Sequence, residues 1–461
     1  MHIMRNFTKR KSEIWAYPPL CKYHDQIDDF EQFVKIFNRS AESQDLCIYI
    51  HIPFCESFCL FCAYYKDHYF KYSMEQKREL IDAYKTEIAF YSKLPYFKNR
   101  KINAIHFGGG TPSCFDVDLL EEILNEIRQD FDFEQCQTIS MEGNVKNFAD
   151  LEKLKALKRL GITRVSFGIQ TFDESIRKKI GIQAKLCHIY QAIENLKIVG
   201  IHDFAVDLIY NLPDQTSEIL QRDLEQVDQL EASYIDVYNL NVYPNTEFYH
   251  LIEEDVFFHQ KPSSDQEIAM FQQIIQFMEA RGYHQVLVNT FSKVHHAPPL
   301  PTAMHLRSCL LGIGPSATSF LDDMNHKNIP DIQQYQERVR QNGCAVYIGN
   351  RATPEEIEER KLVLFPNYMQ IDLDDIVDYE RFEEIIEDLI AEGYLYKEGR
   401  ILRLTAKGKL WPGNFSAMFY NKKQQQKMQR SFFLGLQNRE NLYNQDKMSV
   451  RPSWKGAQNR I

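Results

Sequence analysis

Cys55, Cys59 and Cys62 lie in the run YIHIPFCESFCLFC, residues 49–62. Three thiolates on one short loop can each take an iron of a [4Fe–4S] cluster. Clusters that only carry electrons are held by four cysteines. A triplet with no fourth cysteine nearby leaves one iron open, and an open metal position is where a small molecule binds and reacts. Zinc is the alternative reading. It wants four ligands, usually in two separated pairs, and here His51 or His68 would have to supply the fourth.

Further polar and glycine signals recur along the chain. His106-Phe-Gly-Gly-Gly-Thr-Pro112 follows an apolar run. Consecutive glycines let a backbone approach a ligand closely, and their N–H groups can cradle a carboxylate. A flexible turn would look the same. Glu142 is read as ending the third apolar run, Gln170 as following the fourth and Asp207 as ending the fifth. Singly, each could be a strand-end cap. Together they point into one mouth.

These residues need a scaffold with many strand ends on one side. Short apolar runs at 47–52, 103–107, 137–141, 164–168, 203–208 and 234–238 alternate with helically periodic stretches at 72–92, 117–129, 149–160, 173–199 and 217–229. Strand–helix alternation reads as βαβ units on a parallel sheet. Six units give an α/β fold, a partial (β/α)6 barrel, whose chemistry belongs at the C-terminal ends of its strands. The cysteine loop follows the first strand, where that rule puts it.

Composition bounds the rest. The chain has 461 residues, 44% hydrophobic, with a formal net charge of −10. The length suits two or three domains, and the charge argues against a nucleic-acid partner. The basic start has no apolar signal region after it, and no apolar run is long enough to span a membrane. Ten cysteines without a paired pattern fit a reducing cytoplasm. Cys47, in an apolar run, reads as core.

The expected organisation is a polar N-terminal extension (1–45), the barrel (46–245), a mixed, barrel-completing region with a Pro-rich loop at 296–301 (246–350), a winged-helix-like mixed α+β unit of helices and a hairpin (351–410), and a basic polar tail (411–461). Residues 421–461 hold nine Lys or Arg against two acids. That composition reads as a disordered tail, with Phe432, Phe433, Leu434 and Leu436 as one docking patch.

The cysteine spacing resembles that of the radical S-adenosylmethionine (SAM) enzymes. YIHIPFCESFCLFC, HFGGGTP, SFGIQTF, DLIYNLPDQT, GIGPSATS and LTAKG resemble, in order, the oxygen-independent coproporphyrinogen III oxidase (dehydrogenase) family. The resemblance spans roughly residues 46–410. It implies a radical SAM barrel and a [4Fe–4S] cluster on Cys55, Cys59 and Cys62. It implies SAM contacts from Tyr49, Phe61, Gly109, Gly110, Thr111, Glu142, Gln170 and Asp207, and a second SAM near 239–244 and 312–319. It further implies a flavodoxin- or ferredoxin-type electron donor and a tetrapyrrole such as heme as substrate. A reduced cluster would then cleave SAM to methionine and a 5′-deoxyadenosyl radical. The chain departs from the true oxidases at Tyr64, where they carry a further cysteine, at Ile182, where they carry an arginine, and at Asn211-Leu-Pro213 in place of their Gly-Leu-Pro. Their N-terminal substrate segment has no counterpart in residues 1–45. These departures resemble the heme-degrading and class C methyltransferases and the heme chaperones, and favour methyl transfer over decarboxylation.

Overall fold

The computed structural model describes residues 7, 10–11, 13–14, 16–22, 24–243, 246–253, 263–294 and 309–428. The Pro-rich loop and the apolar residues 432–436 of the tail lie outside these.

Six parallel strands form where the apolar runs predict them: β1 (Asp45–Ile52), β2 (Lys101–Gly109), β3 (Thr138–Gly143), β4 (Arg164–Gln170), β5 (Asp203–Tyr210) and β6 (Tyr234–Asn239). A seventh, β7 (Cys309–Ile313), pairs in parallel with β1 on its other edge. Antiparallel strands extend both ends, so the sheet has twelve strands, with Thr318–Leu321, Met324–Asn328 and Val346–Arg351 beyond β7 and Thr290–Ser292 and His284–Leu287 beyond β6. The segment after residue 245 thus supplies strands to both edges of the barrel sheet. Five-residue β7 is buried throughout.

Helices α1 (Met74–Ser92), α2 (Val117–Asp130), α3 (Leu151–Leu160), α4 (Glu174–Lys179), α5 (Leu186–Val199) and α6 (Ser217–Asp228) connect the strands. A Ser73–Gln76 capping box starts α1, satisfying two donors that a helix end leaves unpaired. The periodic stretch 173–199 yields two helices rather than one. Gly181 adopts φ +81, a conformation that ends a helix and that glycine enters without steric cost.

A mixed α+β unit follows the barrel: helices Pro354–Tyr368 and Glu383–Ala391 with a three-stranded antiparallel sheet of Gln370–Asp372, Ile401–Leu404 and Leu395–Glu398. The second helix is shorter than its sequence suggests, because residues 379–381 form a 3-10 turn instead. Two terminal segments are better integrated than composition predicts. Tyr17 and Cys21 are fully buried, and Gly349 N donates to Asp25 O at 2.7 Å, so the N-terminal stretch is not merely a polar extension. In the expected tail, Pro412–Ser416 is a buried helical turn, and Lys427 pairs with Asp25 at 2.7 Å. Buried Glu359 ties these parts together: it pairs with Arg381, accepts from Tyr17, and accepts from Asn421 Nδ2 at 2.7 Å.

Candidate cofactor site

The cysteine loop leaves the end of β1 and is pinched shut at its base. Phe54 and Cys55 pair in parallel with Asp67 and His68, and Asp67 N donates to Pro53 O at 2.6 Å. Buried Phe54 stacks on Phe115 with ring centroids 5.4 Å apart. Inside the loop, Cys62 N donates to Cys59 O at 3.2 Å, and Lys66 Nζ donates to Cys62 O at 2.8 Å. Leu60 N donates to Ile180 O at 3.2 Å, so the segment after α4 braces the loop from outside. All three cysteines are free thiols. Burial pushes the Cys55 thiol up to about 11 and Cys59 to about 12, and the Thr111 hydroxyl partly offsets this at Cys55. A bound cation reverses that preference, since coordination deprotonates a thiol.

The donor set fits an iron–sulfur cluster better than zinc. Among the described residues no three His, Cys, Asp or Glu side chains gather around one ion's position; in a cluster each thiolate takes a different iron, so they need not. His51, the nearer candidate for a fourth zinc ligand, has both ring nitrogens engaged: Nδ1 with Tyr49 OH at 3.0 Å and Nε2 with Tyr65 O at 3.4 Å. His68 lies edge-on to Phe58 at 5.6 Å.

The glycine run sits against this loop for a reason other than the expected one. Gly110 N donates to Ile52 O at 2.8 Å and Thr111 N to Phe54 O at 2.7 Å. These two amides are consumed by backbone pairing and do not face a carboxylate. What demands glycine is proximity: a methyl on Gly110 would lie 2.5 Å from Phe54 O, and one on Gly109, at φ +112, would lie 2.8 Å from the His51 ring. Gly109 N is the amide that turns to the site, donating to Glu142 Oε2 at 3.3 Å. Thr111 Oγ1 reaches Cys55 Sγ at 3.2 Å. Gly108, absent from the expected set, is also constrained, by the Tyr49 ring at 2.8 Å and the Glu142 carboxyl carbon at 3.2 Å.

Inward positions on successive strands complete the wall. Tyr49 stacks on His106 with centroids 5.9 Å apart. His106 bridges Ser140 Oγ at 2.8 Å and Glu142 Oε1 at 3.1 Å, fixing the Glu142 carboxyl. Gln170 closes β4 at a bulge in register, with φ +70 and a buried Oε1 that has no partner. An orphaned buried acceptor in a strained conformation is what a ligand-binding position looks like before its ligand arrives. Asp207 lies inside β5, not at its end, opposite Asp236 of β6. Burial, then repulsion from Asp236 and Glu142, holds the Asp207 carboxyl well above the usual range, against the pull of Arg164. Burial likewise lifts Asp236 to about 6. Tyr64 is 65% solvent-accessible, yet the surrounding protein, then Glu142, Cys62 and Asp207, push its phenol up to about 12. Phe61 is partly buried against the apolar cluster that includes Ile176, Ile180 and Leu212. His106, Asp236 and Tyr64 were not among the expected contacts; pairing in register puts His106 beside Tyr49 and Asp236 beside Asp207.

Residues 49–227 match the family described as the Radical SAM superfamily. The chain carries a radical SAM domain over these residues. This radical SAM protein is similar to the heme chaperone HemW of Bacillus subtilis, 27% identical over 375 residues, which are 78% of this chain and 96% of that one. It is also similar to the oxygen-independent coproporphyrinogen III oxidase of Escherichia coli, 25% identical over 433 residues, covering 88% and 91% of the two chains. Its fold matches the solved coproporphyrinogen III oxidase (HemN) from Escherichia coli, with TM-score 0.73 and 22% identity over 90% of this chain and 96% of that one. The fold is HemN-like, and the radical SAM domain implies a [4Fe–4S] cluster and SAM. Among the described residues no helix is long and apolar enough to cross a membrane.

Proposed function

We propose that this radical SAM protein binds SAM over the Cys55–Cys59–Cys62 loop, cleaves it reductively and acts on a tetrapyrrole held in the barrel mouth. The single observation that carries the reading is the join between cluster loop and lumen. Thr111 contacts Cys55, Gly109 N and His106 fix Glu142, and Gln170 presents an unpartnered acceptor on the next strand end but one. When bound, the cluster and SAM supply the electron and the 5′-deoxyadenosyl radical. The chain's own residues orient and shield: Glu142 offers a fixed carboxylate for the SAM amine, Gln170 an amide, and Asp207 a buried carboxyl on the neighbouring strand. A tetrapyrrole is supported by the relatives, whose names are a heme chaperone and a coproporphyrinogen III oxidase.

Methyl transfer, the expected reaction, draws on a second SAM near 239–244 and 312–319. The glycines there are accounted for by protein contacts: a methyl on Gly312 would lie 2.5 Å from Thr318 O, and one on Gly314 2.6 Å from the Tyr84 ring. Hydrogen abstraction from the tetrapyrrole by the radical therefore stands ahead of methyl transfer. Heme chaperoning is the second reading, favoured by the 96% coverage of the Bacillus subtilis relative.

One assay separates these. Anaerobically reconstituted, reduced protein is given SAM with coproporphyrinogen III or heme, and products are resolved by mass spectrometry. Tetrapyrrole-stimulated 5′-deoxyadenosine supports the proposal. S-adenosylhomocysteine alongside it restores methyl transfer. Stoichiometric heme binding without 5′-deoxyadenosine indicates the chaperone.

A further inference from the structure

Arg177 on α4 is 3% exposed, and three uncharged acceptors take its guanidinium. Nη1 donates to Ile169 O at 2.6 Å and to Thr171 O at 2.9 Å, and Nη2 donates to Ala184 O at 2.7 Å. Ile169 and Thr171 are the residues on either side of Gln170. A buried arginine with carbonyl partners is costly to desolvate, and burial does lower its pKa. Such a group is kept where its planar fork fixes backbone that would otherwise relax.

The backbone it fixes is one that needs fixing. Gln170 sits at φ +70, which side chains other than glycine avoid, and at a register shift in the β4–β5 pairing. Asp223 of α6 grips the following residues, accepting from Phe172 N at 2.7 Å and Thr171 Oγ1 at 2.8 Å. Beneath, Gly168 leaves room for the Gln170 amide, which would lie 2.0 Å from any methyl there. Arg177 also anchors the segment that braces the cluster loop. Ile182 N donates to Arg177 O at 2.9 Å, Ile180 O accepts from Leu60 N, and a methyl on Gly181 would lie 3.0 Å from Leu60 Cγ.

We infer that Arg177 is a positioning residue for SAM binding: it clamps the two carbonyls flanking Gln170 and so aims the orphaned Gln170 Oε1 into the site, from the same helix whose end supports the loop between Cys59 and Cys62. The inference rests on the proposed reading of Gln170 as a SAM contact. It assigns Arg177 no contact with SAM.

A double-mutant cycle on the reconstituted, iron-loaded full chain tests it, with SAM affinity measured by anaerobic calorimetry. Gln170→Ala is expected to weaken SAM binding about tenfold, the loss of one directed hydrogen bond. Arg177→Met is expected to weaken it by a similar factor in the native background and by less than about twofold once Gln170 is alanine, because its effect runs through that side chain. Arg177→Lys, which keeps a donor but loses the fork, should fall between the two. Iron content and melting temperature of each variant show whether it is folded and loaded; if Arg177→Met is neither, Arg177→Lys is carried through the same cycle. Equal losses in both backgrounds, or no loss on changing Arg177, overturn the inference while leaving Gln170 as a contact. Unchanged affinity in Gln170→Ala overturns the contact itself.

Discussion

Thr111 Oγ1 lies 3.2 Å from Cys55 Sγ, and through this contact the loop after β2 touches the first cysteine of the loop after β1. Hydrogen bonds to cluster sulfurs are among the features that set a cluster's potential. Thr111→Val keeps the shape and deletes the hydroxyl. The variant should assemble its cluster with a reduction midpoint lower by about 40 mV, the one-electron equivalent of about 1 kcal/mol for one hydrogen bond. Potentiometric titration followed by electron paramagnetic resonance reads this; an unchanged midpoint means the contact does not persist in the loaded protein.

Gly110 is held by its distance to Phe54 O, one residue before Cys55. Gly110→Ala should therefore disturb the cluster loop as well as SAM binding, and lower iron content after reconstitution by more than about half. Gly200→Ala is the control. Unlike Gly110 it sits at positive φ, but it has nothing within 4 Å, so the substitution should cost about 1 kcal/mol of stability and no iron. Full iron loading of Gly110→Ala would show that the loop yields.

Gly168→Ala places a methyl where the Gln170 amide lies. The amide must swing away, so SAM affinity should drop about tenfold with the cluster intact. Calorimetry with parallel iron analysis checks both halves, and retained affinity would mean that Gln170 finds another route to the ligand.

Glu87, fully buried on α1, accepts from Tyr335 OH at 2.7 Å, Asn328 Nδ2 at 2.8 Å and Gly314 N at 2.9 Å. Burial outweighs these bonds and lifts its carboxyl to about 7, from 4.5 when exposed. The folded chain then holds a proton that the unfolded chain releases between those values. Stability from this group is fully present below pH 4.5 and declines as pH rises toward 7, by up to about 3 kcal/mol. Glu87→Gln should flatten that part of the profile. Denaturant midpoints across the window, compared between the two proteins, would contradict this if their slopes match.

The barrel was legible because its signals are local. Each apolar run from 47–52 to 234–238 became a parallel strand, since a strand buried on both faces reads as a continuous apolar stretch. Cys47, read as core, is 2% exposed in β1. What local pattern could not carry was pairing between distant segments. β7 joins β1 across more than 250 residues, and Tyr17 inserts beside Glu359 from the far end of the chain. Side-chain aim was equally hidden. Residues 109–111 are the last two glycines of the run and Thr111, and the spacing says nothing about whether an amide meets a ligand or the Ile52 carbonyl. The role of Arg177 was invisible for the same reason, because three backbone carbonyls leave no trace in sequence.

The central claim is that the Cys55–Cys59–Cys62 loop holds a cluster with one iron open to SAM. The most direct measurement is the electron paramagnetic resonance spectrum of the anaerobically reconstituted, reduced protein with and without SAM, alongside iron analysis. The account predicts about four irons per chain and a spectrum that shifts on SAM addition, both lost in Cys59→Ala. A fully loaded cluster whose spectrum ignores saturating SAM, or a stable zinc-loaded chain that takes up no iron, would contradict it.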